Sequence, residues 1–136
     1  RSKSDEFLEF EIQFYEKLLK AYPDFVDVLI PLGEAYTRRG RYEQGLQVDV
    51  RLTQLRSDDP IVWYNLACSY SLLQRVEEAL DALRRALGLG YTDVRHMSQD
   101  PDLLNTRRSP KYRQLVDSMA PSAPLKASGA PPAPPV

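Results

Sequence analysis

A period of 34 residues runs through the middle of this sequence and constrains its fold more than any other feature. At this offset large apolar residues coincide with large ones and small residues with small ones: Leu32 with Leu66, Tyr36 with Tyr70, Leu46 with Leu80, Leu55 with Leu89, Gly33 with Ala67, and Gly45 with Ala79. A period of this length is typical of chains in which each supersecondary unit buries its apolar face against the next unit. The sequence therefore predicts a repeat protein.

Each period contains two amphipathic segments joined by a short turn. In the second period Trp63, Leu66 and Tyr70 recur at helical spacing, and another apolar face follows the turn at residues 74–75. Asp58 and Asp59 precede the first of these segments and are the N-cap candidates, because a carboxylate there can accept hydrogen bonds from free backbone N–H groups. These patterns predict an all-α fold.

The second period, residues 60–93, resembles the tetratricopeptide repeat because it contains W-x-x-L-A-x-x-Y in its first helix and spaced alanines in its second. The preceding period, residues 26–59, matches less closely, with Gly45 where the family usually has Ala. It also has Pro31 inside its first helix, which we expect to bend that helix. The resemblance implies a right-handed helix-turn-helix solenoid with about two full repeats, an N-terminal helix and a C-terminal helical cap.

The C-terminal part is similar to the end of many bacterial tetratricopeptide proteins. The shared residues form a glycine–aromatic turn, a DPDL motif, an arginine and a Pro-basic-aromatic helix: Gly90, Tyr91, Asp100, Pro101, Asp102, Leu103, Arg107, Pro110, Lys111, Tyr112 and Leu115. Thr106 stands where leucine is usual. We expect this segment to cap the last repeat by covering its apolar face: Leu103, Tyr112, Leu115 and Val116 over Leu80, Leu83 and Leu87.

These matches divide the chain into three parts. We expect a flexible N-terminus over residues 1–5, a tetratricopeptide-like domain over 6–119 and a disordered Pro/Ala-rich tail or linker over 120–136. Within the domain the predicted units follow in order: an N-terminal helix over 6–25, repeats over 26–59 and 60–93, and a cap over 94–119.

Charge and hydropathy argue against several classes of partner. The formal net charge is −1 and the basic residues form no continuous stripe, so we expect no nucleic-acid binding. No apolar run approaches the roughly 20 residues of a membrane span, and Arg1–Ser4 is too polar to begin a signal peptide. A single cysteine in a helical pattern adds to the prediction of a cytoplasmic protein. Because the sequence does not begin with Met, it is compatible with a fragment of a longer protein.

Residues suited to catalysis or metal binding are sparse. His96 and Cys68 are the only histidine and the only cysteine, and nothing near either in sequence would activate it. One His and one Cys do not supply a tetrahedral metal site, and the glycine-rich phosphate loop is missing. We expect Asp100 and Asp102 to cap backbone N–H groups. The sequence thus predicts a non-catalytic protein without cofactor or metal.

The resemblance to the tetratricopeptide family implies that the first helices of the repeats line a concave groove that binds a peptide or partner segment. Transferred position by position, the groove residues are Asp27, Ile30, Glu34, Thr37, Arg38, Ile61, Tyr64, Asn65, Cys68, Ser71, Leu72, Arg95 and Gln99. One subfamily clamps a C-terminal carboxylate with Lys and Asn, but Ile30 and Glu34 occupy two of those positions here and Gln99 replaces a basic residue. We therefore expect a scaffold or adaptor that binds a partly apolar, partly charged peptide.

Self-association is the alternative function. The N-terminal helix carries an aromatic-rich stripe that a single neighbouring helix covers only in part: Phe7, Phe10, Phe14, Leu18 and Leu19. Such a face predicts a possible homodimer. A third hypothesis makes the Pro-rich tail a ligand, since PPAPP can adopt the polyproline II conformation, although a linker is the simpler interpretation.

Overall fold

The computed structural model describes residues 3–119, which form a stack of α-helices with no β-strand among them. The helices follow one another in this order: α1 Lys3–Ala21, α2 Val26–Arg39, α3 Tyr42–Leu55, α4 Pro60–Leu72, α5 Val76–Gly88, α6 Val94–Gln99, α7 Leu104–Arg107 and α8 Pro110–Met119. A single 3-10 turn, Pro101–Leu103, connects α6 to α7. The predicted tail, residues 120–136, lies outside the described residues.

Neighbours along the chain pack against one another from α1 to α5, and α8 returns to pack on α5. α2 begins at Val26 and α4 at Pro60, so the helices repeat at the same offset as the sequence. The predicted all-α helix-turn-helix solenoid is confirmed. Pro31 lies inside α2, which nevertheless continues unbroken to Arg39.

The N-terminal helix differs from its predicted bounds. α1 begins at Lys3 and ends at Ala21, whereas we expected a flexible segment over 1–5 and a helix over 6–25. Asp5 and Glu6 lie in its first turn, where acidic side chains favour a helix start because they face the positive end of the helix dipole. Residues 3–5 are therefore helical, and the chain leaves the helix before Pro23.

Two apolar clusters form the core. The N-terminal cluster joins α1, α2, α3 and the start of α4: Leu8, Ile12, Leu29, Leu32, Ala35, Tyr36, Val48, Leu52 and Val62. The C-terminal cluster joins the second repeat to the segment after it: Leu46, Tyr64, Leu66, Ala67, Cys68, Leu80, Ala82, Leu83, Ala86, Tyr91, Met97, Leu103 and Leu115. The small residues at the repeat positions let helices approach closely, since a Cβ on Gly45 would lie 3.0 Å from Thr37 Oγ1.

The segment from α6 to α8, the predicted cap, packs against the second repeat. Met97 and Leu103 are fully buried, and Tyr112 and Val116 pack beside Leu115 on the same cluster. Thr106, the departure from the usual leucine, is also fully buried and donates its hydroxyl to Ser71 Oγ at 2.8 Å. The buried hydroxyl pair explains how a polar residue is accommodated there. Of the helices in residues 3–119, none has the length and hydropathy needed to cross a membrane.

Candidate functional site

A cavity of about 300 Å³ opens in the groove between α2, α3, α4 and the beginning of the cap. We call it the groove cavity, and its lining is mixed: Ile30, Gly33, Glu34, Thr37, Arg38, Asp49, Leu52, Tyr64, Asn65, Cys68, Ser69, Leu72, His96, Asp100 and Asp102. The apolar residues lie beside several carboxyl groups, so the groove cavity is suited to an occupant that combines an apolar stem with a polar end.

Eight of the thirteen predicted groove residues line this cavity: Ile30, Glu34, Thr37, Arg38, Tyr64, Asn65, Cys68 and Leu72. They come from α2 and α4, the first helices of the two repeats. Helical spacing brings them onto one face, since residues three and four positions apart are neighbours on a helix. Their role in binding stays a prediction.

The other five predicted residues lie elsewhere. Asp27, Ile61, Arg95 and Gln99 are exposed and outside the lining of the groove cavity. Ser71 is fully buried, and its hydroxyl accepts hydrogen bonds from the backbone N–H and the side chain of Thr106. Ser71 is a structural contact between α4 and the cap, so its assignment to the groove surface is wrong.

Tyr64 closes the cap end of the groove cavity. Its ring stacks on Tyr91 with centroids 4.5 Å apart, and its hydroxyl donates to Asp100 Oδ2 at 2.6 Å. Asp100 also accepts from the backbone N–H of Asp102 at 3.0 Å, which confirms its predicted capping role. Tyr64 is only 5% exposed, so it forms a wall of the cavity and its hydroxyl is already engaged.

Cys68 does not have the properties of a nucleophile. It is buried, and desolvation together with the nearby Asp100 carboxylate raises the pKa of its thiol. His96, which lies 3.3 Å from Asp100 Oδ2 through Nε2, interacts with the carboxylate rather than activating the sulfur. The thiol therefore remains protonated at neutral pH and donates a weak hydrogen bond to Asp100 Oδ2 at 3.8 Å.

Asp49 is the unexpected member of the lining. It lies on the buried face of α3, is 8% exposed, and accepts a hydrogen bond from the hydroxyl of Ser69. Burial raises the pKa of Asp49 to about 6; the Ser69 hydrogen bond opposes this shift, and the charge of Glu34 adds to it. Ionisation of Asp49 therefore destabilises the folded state.

Three carboxyl groups of the lining form no ion pair with a residue from 3 to 119. Among residues 3–119, no Lys, Arg or His nitrogen lies within 4.0 Å of the carboxylates of Glu34, Asp49 or Asp102. Burial, followed by the charge of Asp100, also raises the pKa of Asp102. The lining thus contains four carboxyl groups, those of Glu34, Asp49, Asp100 and Asp102, and two basic side chains, Arg38 and His96, so acidic groups outnumber basic ones.

Sequence reasoning missed the lining residues that come from outside the first helices, of which Asp49 and Asp102 are the most informative. Asp49 had a detectable signal, because an aspartate stands within the apolar face of α3 between Val48 and Leu52. Asp102 is predicted as a cap, yet the capping carboxylate of that motif is Asp100. Within the described part of the chain, no cluster of three or more potential metal ligands is present.

Comparison with known proteins identifies one of the repeats. The tetratricopeptide repeat family model matches residues 60–90, and repeats of this kind generally mediate protein–protein interactions without catalysis. The chain is 33% identical over 90 residues to a chloroplastic protein of Arabidopsis thaliana, a match that covers 62% of this chain. The matched region spans about a quarter of that relative, 26% of its length. Bacterial origin, the bacterial type of cap and a cytoplasmic location stay predictions.

Proposed function

We propose that this chain is a non-catalytic scaffold or adaptor module whose groove cavity binds a partner peptide through a basic side chain. The observation that supports this most directly is the set of three carboxyl groups, Glu34, Asp49 and Asp102, that line one cavity and form no ion pair with any residue from 3 to 119. A Lys or Arg side chain would supply the missing charge.

The apolar part of the lining supports a side chain with a long aliphatic stem. Ile30 is 39% exposed at the groove, and Leu72 and Leu52 also line the cavity. Lysine and arginine bury their methylene groups along apolar surface while the charged end reaches a polar partner. A cavity of about 300 Å³ is at the lower end of the usual range for ligand sites, which suits one side chain rather than a large cofactor.

A peptide display library screened against the chain tests this proposal. We expect the selected peptides to share one Lys or Arg position, because that position would interact with the carboxylates of the groove cavity. Binding of a selected peptide, measured by calorimetry, should weaken about tenfold in Glu34→Gln and in Asp49→Asn, since each removes one charge-assisted contact.

Glu43→Gln provides the matched control, because Glu43 is exposed in the first turn of α3 and does not line the groove cavity. It should bind the peptide as the unmodified chain does. Selected peptides without a shared basic position, or equal affinity in all three variants, would rule out recognition of a basic side chain in this cavity.

A second candidate function is self-association through α1, as the aromatic stripe predicts. The observation in its favour is the exposure of Phe7, Phe10 and Phe14, which are 61%, 67% and 52% exposed. Large apolar side chains are usually buried, and a contiguous exposed set of them is typical of an interaction surface.

A further inference from the structure

We infer that the outer face of α1 is a homodimer interface in which two copies of this helix pair antiparallel about a twofold axis. This inference rests on the second candidate function and is independent of the groove cavity. Its occupant is a second copy of the chain, and its centre is the exposed part of the predicted stripe, Phe7, Phe10 and Phe14, called the aromatic stripe from here on. Leu19, also a predicted member of the stripe, packs against the N-terminal cluster.

The position of the phenylalanines sets this edge of the molecule apart. The chain has four phenylalanines, and all of them are exposed: the three of the aromatic stripe and Phe25, beside Tyr22. The members of the stripe follow at intervals of three and four residues and so lie on one helical face. Leu8 and Ile12 occupy the opposite face and are buried against α2. α1 is therefore apolar on two sides, and only one of them is covered within residues 3–119.

The charged residues of α1 divide according to the same two sides. Toward α2, Glu9 Oε2 lies 2.9 Å from Arg39 Nε, and Glu16 accepts a hydrogen bond from the hydroxyl of Tyr36. On the outer side, Glu6 and Lys17 are exposed, and neither has an ion pair with any residue from 3 to 119. Among residues 4–118, Glu6 and Lys17 thus flank the exposed rings on the outer face as charged groups that a partner could pair.

The order of these two charges specifies the direction of pairing. Glu6 precedes the first ring of the aromatic stripe by one residue, and Lys17 follows the last ring by three. An antiparallel pair whose twofold axis passes between positions 11 and 12, about one residue from the middle of the stripe, places Glu6 of each copy opposite Lys17 of the other. A parallel pair would bring like charges together at both ends, which is unfavourable. A twofold axis satisfies both contacts at once, because an isologous interface uses the same patch twice.

The interface is small, so we expect a weak dimer. Its area comes mainly from six rings of two helices, and Phe25 and Tyr22 extend the apolar edge beyond the end of α1. Interfaces below the standard size associate weakly, so sedimentation equilibrium of the full chain from about 1 to 300 µM covers the expected range. The unmodified chain should show a reversible monomer–dimer equilibrium.

Phe10→Glu tests the stripe. Because the dimer contains this residue twice, we expect the dissociation constant to rise at least about 100-fold. Leu104→Glu is the matched control, since Leu104 is also an exposed apolar residue, 45% exposed, but lies in α7. It should leave the equilibrium unchanged. Circular dichroism confirms that both variants retain their helices, as expected for substitutions at exposed positions.

Charge reversal tests the direction. Glu6→Lys and Lys17→Glu should each raise the dissociation constant roughly three- to tenfold, because each replaces two attractive contacts in the dimer by repulsive ones. The double variant E6K/K17E should restore the original value. In a parallel pair each single reversal only exchanges one like-charge contact for another, so the single variants would leave the dissociation constant unchanged.

The outcomes distinguish the antiparallel arrangement from self-association itself. A strictly monomeric chain over the whole concentration range overturns both of these claims, and the outer face of α1 would then belong to a different partner. A dimer that tolerates Phe10→Glu overturns the proposed interface alone. A dimer that is sensitive to Phe10→Glu and indifferent to the charge reversals overturns the antiparallel arrangement. None of these results depends on peptide binding in the groove cavity.

Discussion

Gln74 has a backbone conformation that residues other than glycine rarely adopt. Its φ is 62°, in the left-handed region, at the turn between α4 and α5. The corresponding turn between α2 and α3 has Gly40, with φ 85°. We predict that Gln74→Gly stabilises the fold by roughly 0.5–1 kcal/mol, because glycine removes the steric cost of the left-handed conformation. The greater conformational entropy of glycine in the unfolded chain offsets only part of this gain.

Gly40→Gln is the reciprocal variant and should destabilise the fold by a similar amount, since a Cβ at Gly40 meets no atom within 4 Å and only backbone strain changes. Urea unfolding followed by circular dichroism measures both effects. An unfolding free energy that stays the same in both variants would contradict the strain argument.

Asp49 makes the stability of the fold depend on pH. Its folded-state pKa of about 6 lies above the ordinary value of 3.8, so the folded chain holds this proton more tightly than the unfolded chain. The contribution of Asp49 to stability is fully present below the unfolded pKa and is lost as the pH rises through about 6. We predict that Asp49→Asn stabilises the fold at pH 7 by on the order of 2 kcal/mol, because the amide stays neutral.

The pH comparison isolates this residue from the other acids of the groove cavity. Asp102 also has a raised pKa, but it titrates in both chains and cancels in the difference between them. The difference in unfolding free energy between Asp49→Asn and the unmodified chain should be large at pH 7 and near zero at about pH 3.5, below the ordinary pKa of aspartate. A difference independent of pH would show that ionisation of Asp49 is not its cause.

At the scale of elements, the cap stabilises the second repeat through a few buried side chains. Leu103, in the 3-10 turn, is fully buried among Leu83, Met97 and Leu115 in the C-terminal cluster. We predict that Leu103→Ala lowers the free energy of unfolding by about 2–5 kcal/mol, through lost burial and the cavity it leaves. Urea unfolding followed by Trp63 fluorescence and by circular dichroism measures the loss.

The neighbouring leucine gives a control with the same chemistry. Leu104 is 45% exposed, so Leu104→Ala should change the unfolding free energy by no more than about 0.5 kcal/mol. Similar losses in the two variants would mean that α6 to α8 do not depend on Leu103 for their attachment to the repeat.

The elements also differ in how far their sequence predicted them. The starts of α2 and α4 follow from the period, and Asp59 caps α4 as expected, accepting a hydrogen bond from the N–H of Ile61 at 2.9 Å. The hydroxyl pair of Ser71 and Thr106 could not be predicted in this way, because it joins α4 to the cap across more than one repeat. Periodicity describes one helix at a time and carries no information on such distant contacts.

At the scale of the whole molecule, the sequence predicted the stack and the first-helix part of the groove, while the chemistry of the groove cavity came from the packing. The cavity combines α2, α3, α4 and the cap, so no single repeat contains its lining. Asp49 contributes from a second helix and Asp102 from the cap, whereas the family position rules refer to first helices. Acidic side chains outnumber basic ones in the groove cavity because these elements meet there.

The two ends of the described helical stack differ in whether their apolar surface is covered. At one end Met97, Leu103 and Leu115 close the C-terminal cluster, so insertion of a further repeat there would require the segment from α6 to α8 to be displaced. At the other end the aromatic stripe presents apolar side chains outward. An added helix with a complementary apolar face could pack on α1 without displacing any core contact within residues 3–119, and it would compete with the proposed dimer for the aromatic stripe.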